Sequence, residues 1–241
     1  MKTLGLIVSR ELNAYLKGAG GYVIAAIILM IDGMLFNAFA LGSGERLSSE
    51  VLSNFFYFSS GTTMIAAVLL SMRLIAEERQ EETLVLLTTA PISDWHIAVG
   101  KWLSAFLFLC MILAASAYMP AMIAVNGSLS LGHLFAGYLG LALLGGTCTA
   151  LGTLASSLTR SQVIAGVMGG AMTVSLLLTW LLSRVADPPF DKFLAYLALF
   201  DKHFTPFMKG EIHSRSVVFY LSVTFLALAA TRHVLGARRW R

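Results

Sequence analysis

Six apolar runs of roughly twenty residues each decide what this chain can fold into. They extend from about Gly21 to Leu41, Asn54 to Ala76, Val99 to Pro120, Gly132 to Leu158, Gln162 to Ser183 and Ser216 to Leu235. Each is long enough to cross a hydrocarbon core of about 30 Å as a helix, and inside that core a helix satisfies its own backbone groups. Composition agrees. Hydrophobic residues make up 57% of the 241 and charged residues only 12%, about half of the ~25% charge that covers a soluble domain. That shortage excludes an ordinary soluble enzyme, and the apolar content excludes disorder. The expected fold is an all-α membrane protein with six transmembrane helices in a single domain spanning residues 1–241.

The positive residues read as topology. Lys2, Arg10, Lys17, Arg73, Arg79, Lys101, Arg160, Arg232, Arg238, Arg239 and Arg241 fall on one side of the six runs. Five of the six on the other side lie in or beside one long loop, where charge bias counts for less. Both termini are therefore expected in the cytoplasm, with Trp240 at the interface. Basic residues dispersed between apolar runs are not a nucleic-acid surface. A basic start, an apolar stretch and Ala38-Phe39-Ala40 imitate a secretory signal, but the basic region is too long and Asp32 and Asn37 interrupt the apolar core.

Before the first run, Leu4, Ile7, Val8, Leu12, Tyr15 and Leu16 recur at helical spacing. This predicts an amphipathic helix over residues 1–20 lying on the membrane surface. Between the second and third runs, the segment 77–98 carries an acidic head, Glu77-Glu78-Arg79-Gln80-Glu81-Glu82, then Thr83 and the apolar Leu84-Val85-Leu86-Leu87. Pro91 disfavours helix at Ala90, and Ser93 or Asp94 caps the next helix. Leu84 and Leu87 share one face of a short helix. Four apolar residues in a row need a cover, and the acidic head repels an anionic leaflet, so a protein partner is the favoured cover. The long loop from Arg184 to Arg215 is expected outside, with a short helix at the interface within Phe190–Phe200.

These residues resemble the permease family of ABC-2 type transporters. The matching pattern is Glu77-Glu78, Thr83, Leu84 to Leu87, Pro91-Ile92-Ser93 and Gly100-Lys101. The stretches Ala155 to Ile164 and Asp201 to Gly210, with Arg238 to Arg241, are similar to its gliding-motility-associated branch. The resemblance implies an exporter subunit in the cell inner membrane, paired with a second, identical or homologous permease and surrounded by lipid. It implies cytoplasmic ATP-binding cassette (ABC) ATPase subunits that carry the ATP and Mg. It places Glu77, Glu78, Thr83, Leu84, Leu87 and Pro91 at the ATPase contact and makes the N-terminal helix the family's connecting helix.

No Gly-x-x-x-x-Gly-Lys-Ser/Thr is present; Gly140 to Thr147 lacks the lysine that contacts phosphate. His96, His133, His203, His213 and His233 are scattered without metal-ligand spacing. Cys110 and Cys148 are isolated. Ser59-Ser60-Gly61 has no paired base. Asp32, inside the first run, has two readings: a contact in a translocation path, or helix packing, with Asn37 near the outer end. Gly166 and Gly170 form a Gly-x-x-x-Gly surface for close helix packing, within one subunit or between two. Serine and threonine among the apolar side chains are compatible with lipid-like or polysaccharide cargo. A non-transporting membrane scaffold, or an ATP-independent secondary transporter with ion-coupling groups in the bundle, stands as the alternative.

Overall fold

The computed structural model describes residues 2–41, 48–83, 93–126, 130–187 and 190–237. Helix α1 is Lys2–Lys17, and α2 is Ala19–Leu35, continued by a π-helical turn at Phe36–Leu41. Next come α3 Ser48–Ser71, the short α4 Ala76–Gln80, α5 Asp94–Ala115 and α6 Tyr118–Asn126. Then follow α7 Leu131–Leu158, α8 Gln162–Ser183, α9 Phe190–Leu197, α10 Thr205–Met208 and α11 Ser214–Ala237. Among the described residues there are six candidate membrane spans, carried by α2, α3, α5 with α6, α7, α8 and α11, which is the expected all-helical membrane fold. The last span, α11, ends beside the start of α5, where Gly236 approaches Asp94, and α1 lies along the same end of α5 with Ile7 against Gly100.

Helix α7 is the spine, packing against α3, α5, α8 and α11. Its small residues make this possible. A Cβ at Gly137 would lie 2.1 Å from the Phe56 ring, and one at Gly140 would lie 2.6 Å from Cβ of Phe207. Helices in hydrocarbon gain nothing from excluding lipid, so such close van der Waals contacts carry their association. The pair that brings α7 and α8 together is Gly152 with Gly169, where a Cβ on Gly169 would lie 3.2 Å from the Gly152 Cα. Of the two glycines singled out in the sequence, Gly166 rests against Met72 and Gly170 has nothing within 4 Å.

Three segments depart from expectation. The second span is longer than Asn54 to Ala76 and interrupted: it begins at Ser48, α3 ends at Ser71, and the chain turns through Met72–Ile75 before α4 ends at Gln80. The third span is jogged at Ser116–Ala117. Pro120 explains the jog, since it has no N–H to donate and its ring would clash with the carbonyl four residues back. The third departure is the long loop. Helix α9 buries none of its residues, as an interfacial helix would, but the chain beyond it turns inward. Leu199, His203, Phe204 and Phe207 are fully buried. The Leu199 N–H donates to the Leu176 carbonyl at 3.3 Å, seven residues or about 10 Å inside the end of α8. Residues 198–208 thus form a strap laid into the bundle at the end away from α4. Phenylalanine side chains this large are better placed against helices than left at an aqueous surface.

Substituting valine at Gly140 should displace Phe207 and lower stability by about 1–3 kcal/mol, the usual cost of overpacking. Thermal unfolding in detergent micelles reads this as a lower midpoint. Gly170→Ala, with open space around the new methyl group, should leave the midpoint of the monomer unchanged.

Candidate functional site

At the α1/α4 end of the bundle, charged groups from three helices meet. Lys101, the eighth residue of α5, is 1% exposed. A bare ammonium there would be costly, and two carboxylates prevent it. Lys101 Nζ donates to Glu11 Oε1 of α1 at 3.2 Å and lies 3.0 Å from Glu78 Oε1 of α4. Arg10 closes the ring from the solvent side: its Nη2 donates to Glu11 Oε1 at 2.7 Å and to Glu78 Oε1 at 2.8 Å. Two cations and two carboxylates alternate in one clasp, so its formal charge is zero. Glu78 Oε2 is buried and has no hydrogen-bond partner among the described residues.

Burial alone would raise the Glu11 carboxyl, but Lys101 and Arg10 together outweigh it and hold the group below its ordinary value of 4.5. The Arg10 guanidinium is correspondingly stabilised in its charged form, first by its bond to Glu11, against some loss from burial.

Packing places these groups. Gly100 lets α1 approach α5, because a Cβ there would lie 2.9 Å from Ile7 Cγ2. Tyr15 of α1 is fully buried, stacked on Phe108 at 5.0 Å, and its hydroxyl donates to the Leu70 carbonyl at 2.7 Å. Arg73 lies over the Tyr15 ring at 4.3 Å and reaches Glu77 only at 3.8 Å. The start of α4 is held by α7. The Ser156 hydroxyl accepts from the N–H groups of Ile75 (3.0 Å) and Ala76 (2.9 Å) and donates to the Met72 carbonyl at 2.9 Å. That uses the hydroxyl's one proton and both lone pairs. Helix α4 ends in a turn at Glu81–Thr83 in which Glu82 takes a left-handed φ of 60°. A non-glycine residue there costs about 1–2 kcal/mol. The Thr83 hydroxyl returns to the Glu78 carbonyl at 3.3 Å. A pocket of about 460 Å³ opens over this surface, lined by Arg73, Glu77, Glu78, Glu81, Thr83 and the clasp.

The structure therefore brings Glu77, Glu78 and Thr83 to one surface. Leu84, Leu87 and Pro91 lie outside the described residues, and the described short helix falls ahead of the leucine run. Ser93 caps α5, its side chain accepting from the His96 N–H. Asp32 and Asn37 are not brought together. Asp32, 4% exposed, accepts from the Thr62 hydroxyl at 2.6 Å and so ties α2 to α3, while Asn37 is on the exposed face of the π-helical turn. Sequence reasoning missed Glu11 and Ser156, and it took Arg10 and Lys101 for topology markers. The available signal was a lysine set inside an apolar run, which requires a counter-charge. Among the described residues, no group of three or more His, Cys, Asp or Glu could hold a metal ion.

Lys101→Met should loosen α1 and α4 from α5. The expected loss is about 3 kcal/mol, the low end for removing one partner of a buried pair, because Arg10 still holds both carboxylates. Because the folded Glu11 pKa is lowered, its contribution to stability is complete above the ordinary value of 4.5 and is lost as pH falls through the folded value. Hydrogen exchange of α1 should accelerate in that acid window, and Glu11→Gln should flatten the response.

The family model described as "ABC-2 family transporter protein" matches residues 22–192, more than half of the chain. No curated protein matches. The matched region contains α3, α4 and α5, and so two of the three helices of the clasp. The chain belongs to the ABC-2 transporter family and is a multi-pass membrane permease component of an ABC transporter.

Proposed function

We propose that this chain is the permease half of an exporter. A second permease subunit pairs with it, and separate cytoplasmic ATPase subunits, which hold the ATP and Mg, drive it. In this reading both termini and α4 face the cytoplasm of a cell whose inner membrane holds the complex. The ATPase docks on Glu77, Glu78, Thr83 and the following segment through Leu84, Leu87 and Pro91. The assignment to the gliding-motility-associated branch rests on the sequence stretches Ala155 to Ile164 and Asp201 to Gly210.

The observation that carries the proposal is the clasp. Helix α4 is too short to be a stable unit by itself, yet it is bound to α1 and α5 by charge and to α7 by Ser156. A push on α4 is therefore a push on a transmembrane span and on the surface helix together. For such a push to drive transport, the ATP-bound ATPase must favour one permease conformation over the other. The clasp supplies the rigid link between the two.

The test is the permease co-purified with its ATPase and reconstituted in vesicles. Leu84→Asp and Glu78→Arg should each leave membrane insertion intact. Each should uncouple ATP hydrolysis from transport. Normal transport by both variants would remove the docking surface from α4. Failure of any ATPase to co-purify would favour the scaffold alternative.

A further inference from the structure

One residue joins the strap to two helices. His203 is fully buried. Its Nε2 lies 2.9 Å from the Tyr196 carbonyl of α9. A carbonyl oxygen only accepts, so Nε2 carries the hydrogen. In the neutral ring Nδ1 is then bare, and it accepts from the Ser216 hydroxyl of α11 at 3.4 Å. The ring lies flat on Phe219 of α11, centroids 3.9 Å apart, with the Tyr196 ring edge-on at 5.2 Å. The neutral imidazole thus pins the strap to α9 on one side and to α11 on the other. Four residues on, Phe207 fills the notch at Gly140.

The charges that face this ring are of one sign. Lys202 from the strap and Arg215 from α11 both oppose a proton on it. Tyr196 and Tyr220 meet it as rings, and the Tyr220 hydroxyl is spent on the Leu199 carbonyl. Among the described residues no carboxylate pairs with it. Asp201 lines a groove beside Tyr57 and Trp180, and Glu211 pairs with His213 at 3.4 Å. Asp191 of α9 is more than a helical turn before Tyr196. Protonation would set a third cation beside two others in an enclosed site. It would also turn the hydrogen of the Ser216 hydroxyl away from Nδ1. The Phe219 face and the Tyr196 carbonyl offset only part of that cost. Burial first, and then the two cations, hold His203 below its ordinary value of 6.5, against the pull of the Tyr196 carbonyl. A proton has a way in: a cavity of about 440 Å³, lined by Lys202, His213, Arg215 and Ser216, reaches the partner of Nδ1.

We propose that His203 is a pH-sensitive latch on the strap: as a neutral ring it fastens residues 198–208 to α9 and α11, and on protonation it lets them go. The closed strap binds the proton less readily than the released one. Its hold is therefore complete above the ordinary value of 6.5, weakens as pH falls below it, and levels off once the buried ring itself titrates. Which compartment the latch senses rests on the orientation proposed above, in which the end away from α4 faces outside. The latch itself does not, and in micelles both ends meet the same buffer.

The test is hydrogen exchange of the full chain in detergent micelles, read by peptide mapping and corrected for the intrinsic pH dependence of exchange. Protection of residues 198–208 should hold steady down to about pH 6.5 and then fall by up to about tenfold over the next unit, the limit for one proton. Peptides around Gly152 of α7 should not change in this range, which stays above the acid window of Glu11. His203→Gln, which keeps a donor for the Tyr196 carbonyl but does not titrate, should flatten the response. Lys202→Gln combined with Arg215→Gln should shrink it, because the ring then holds its proton more easily, and this variant serves if His203→Gln does not fold. His213→Gln should leave the response unchanged. A strap whose protection ignores pH in the unaltered chain would overturn the proposal. So would a full response in His203→Gln or in the double variant, or its loss in His213→Gln, which would move the switch to the His213–Glu211 pair.

Discussion

The structure depends on how closely other elements can reach α7. In water, the gain from burying apolar surface tolerates an imperfect fit; between helices in hydrocarbon that gain is absent, and contact distance decides. Glycine at positions 137, 140 and 152 turns α7 into a series of notches that take Phe56, Phe207 and Ser71. The strap lies where it does because Gly140 accepts Phe207. Helix α4 starts where it does because Ser156, one turn beyond Gly152, bonds the backbone at Ile75 and Ala76.

The same environment governs the polar side chains. Most of the serines and threonines in the spans bond carbonyls of their own helix: Ser71 to Ala67, Ser104 to Lys101, Thr153 to Thr149, Thr173 to Gly169 and Thr231 to Ala227. These hydroxyls are satisfied internally. The few that reach across join particular neighbours. Thr62 joins α2 to α3 through Asp32, and Thr147 joins α7 to α11 through the Tyr220 carbonyl and Thr224. Trp102 shows the same economy, its indole N–H donating to the Gly146 carbonyl at 2.9 Å.

Span number and the amphipathic start were legible because they rest on length and periodicity, which survive any packing arrangement. The cap at Ser93 was legible because capping is local. The clasp was not: Glu11 and Lys101 are 90 residues apart, and no periodicity links them. Lys101 still announced itself, as a charge inside an apolar run, and asking what neutralised it would have pointed to the acidic residues of the first helix or of α4. The strap was hidden for the opposite reason. Nothing local distinguishes Phe204 and Phe207 from surface aromatics, and it is Gly140, far off in the sequence, that gives Phe207 a place inside. Within the chain, Gly169 makes the close approach of α8 to α7 while its neighbours Gly166 and Gly170 face elsewhere, since spacing alone does not fix which way a helix faces.

The strap is anchored through backbone carbonyls held by side chains of other helices. Tyr220 donates to Leu199, and Ser53 and His133 both bond Met208. If this end of the bundle parts, those oxygens lose their donors, and lipid tails have none to offer. Solvent must then arrive as the strap leaves, so release of the strap and hydration of this end would be one event.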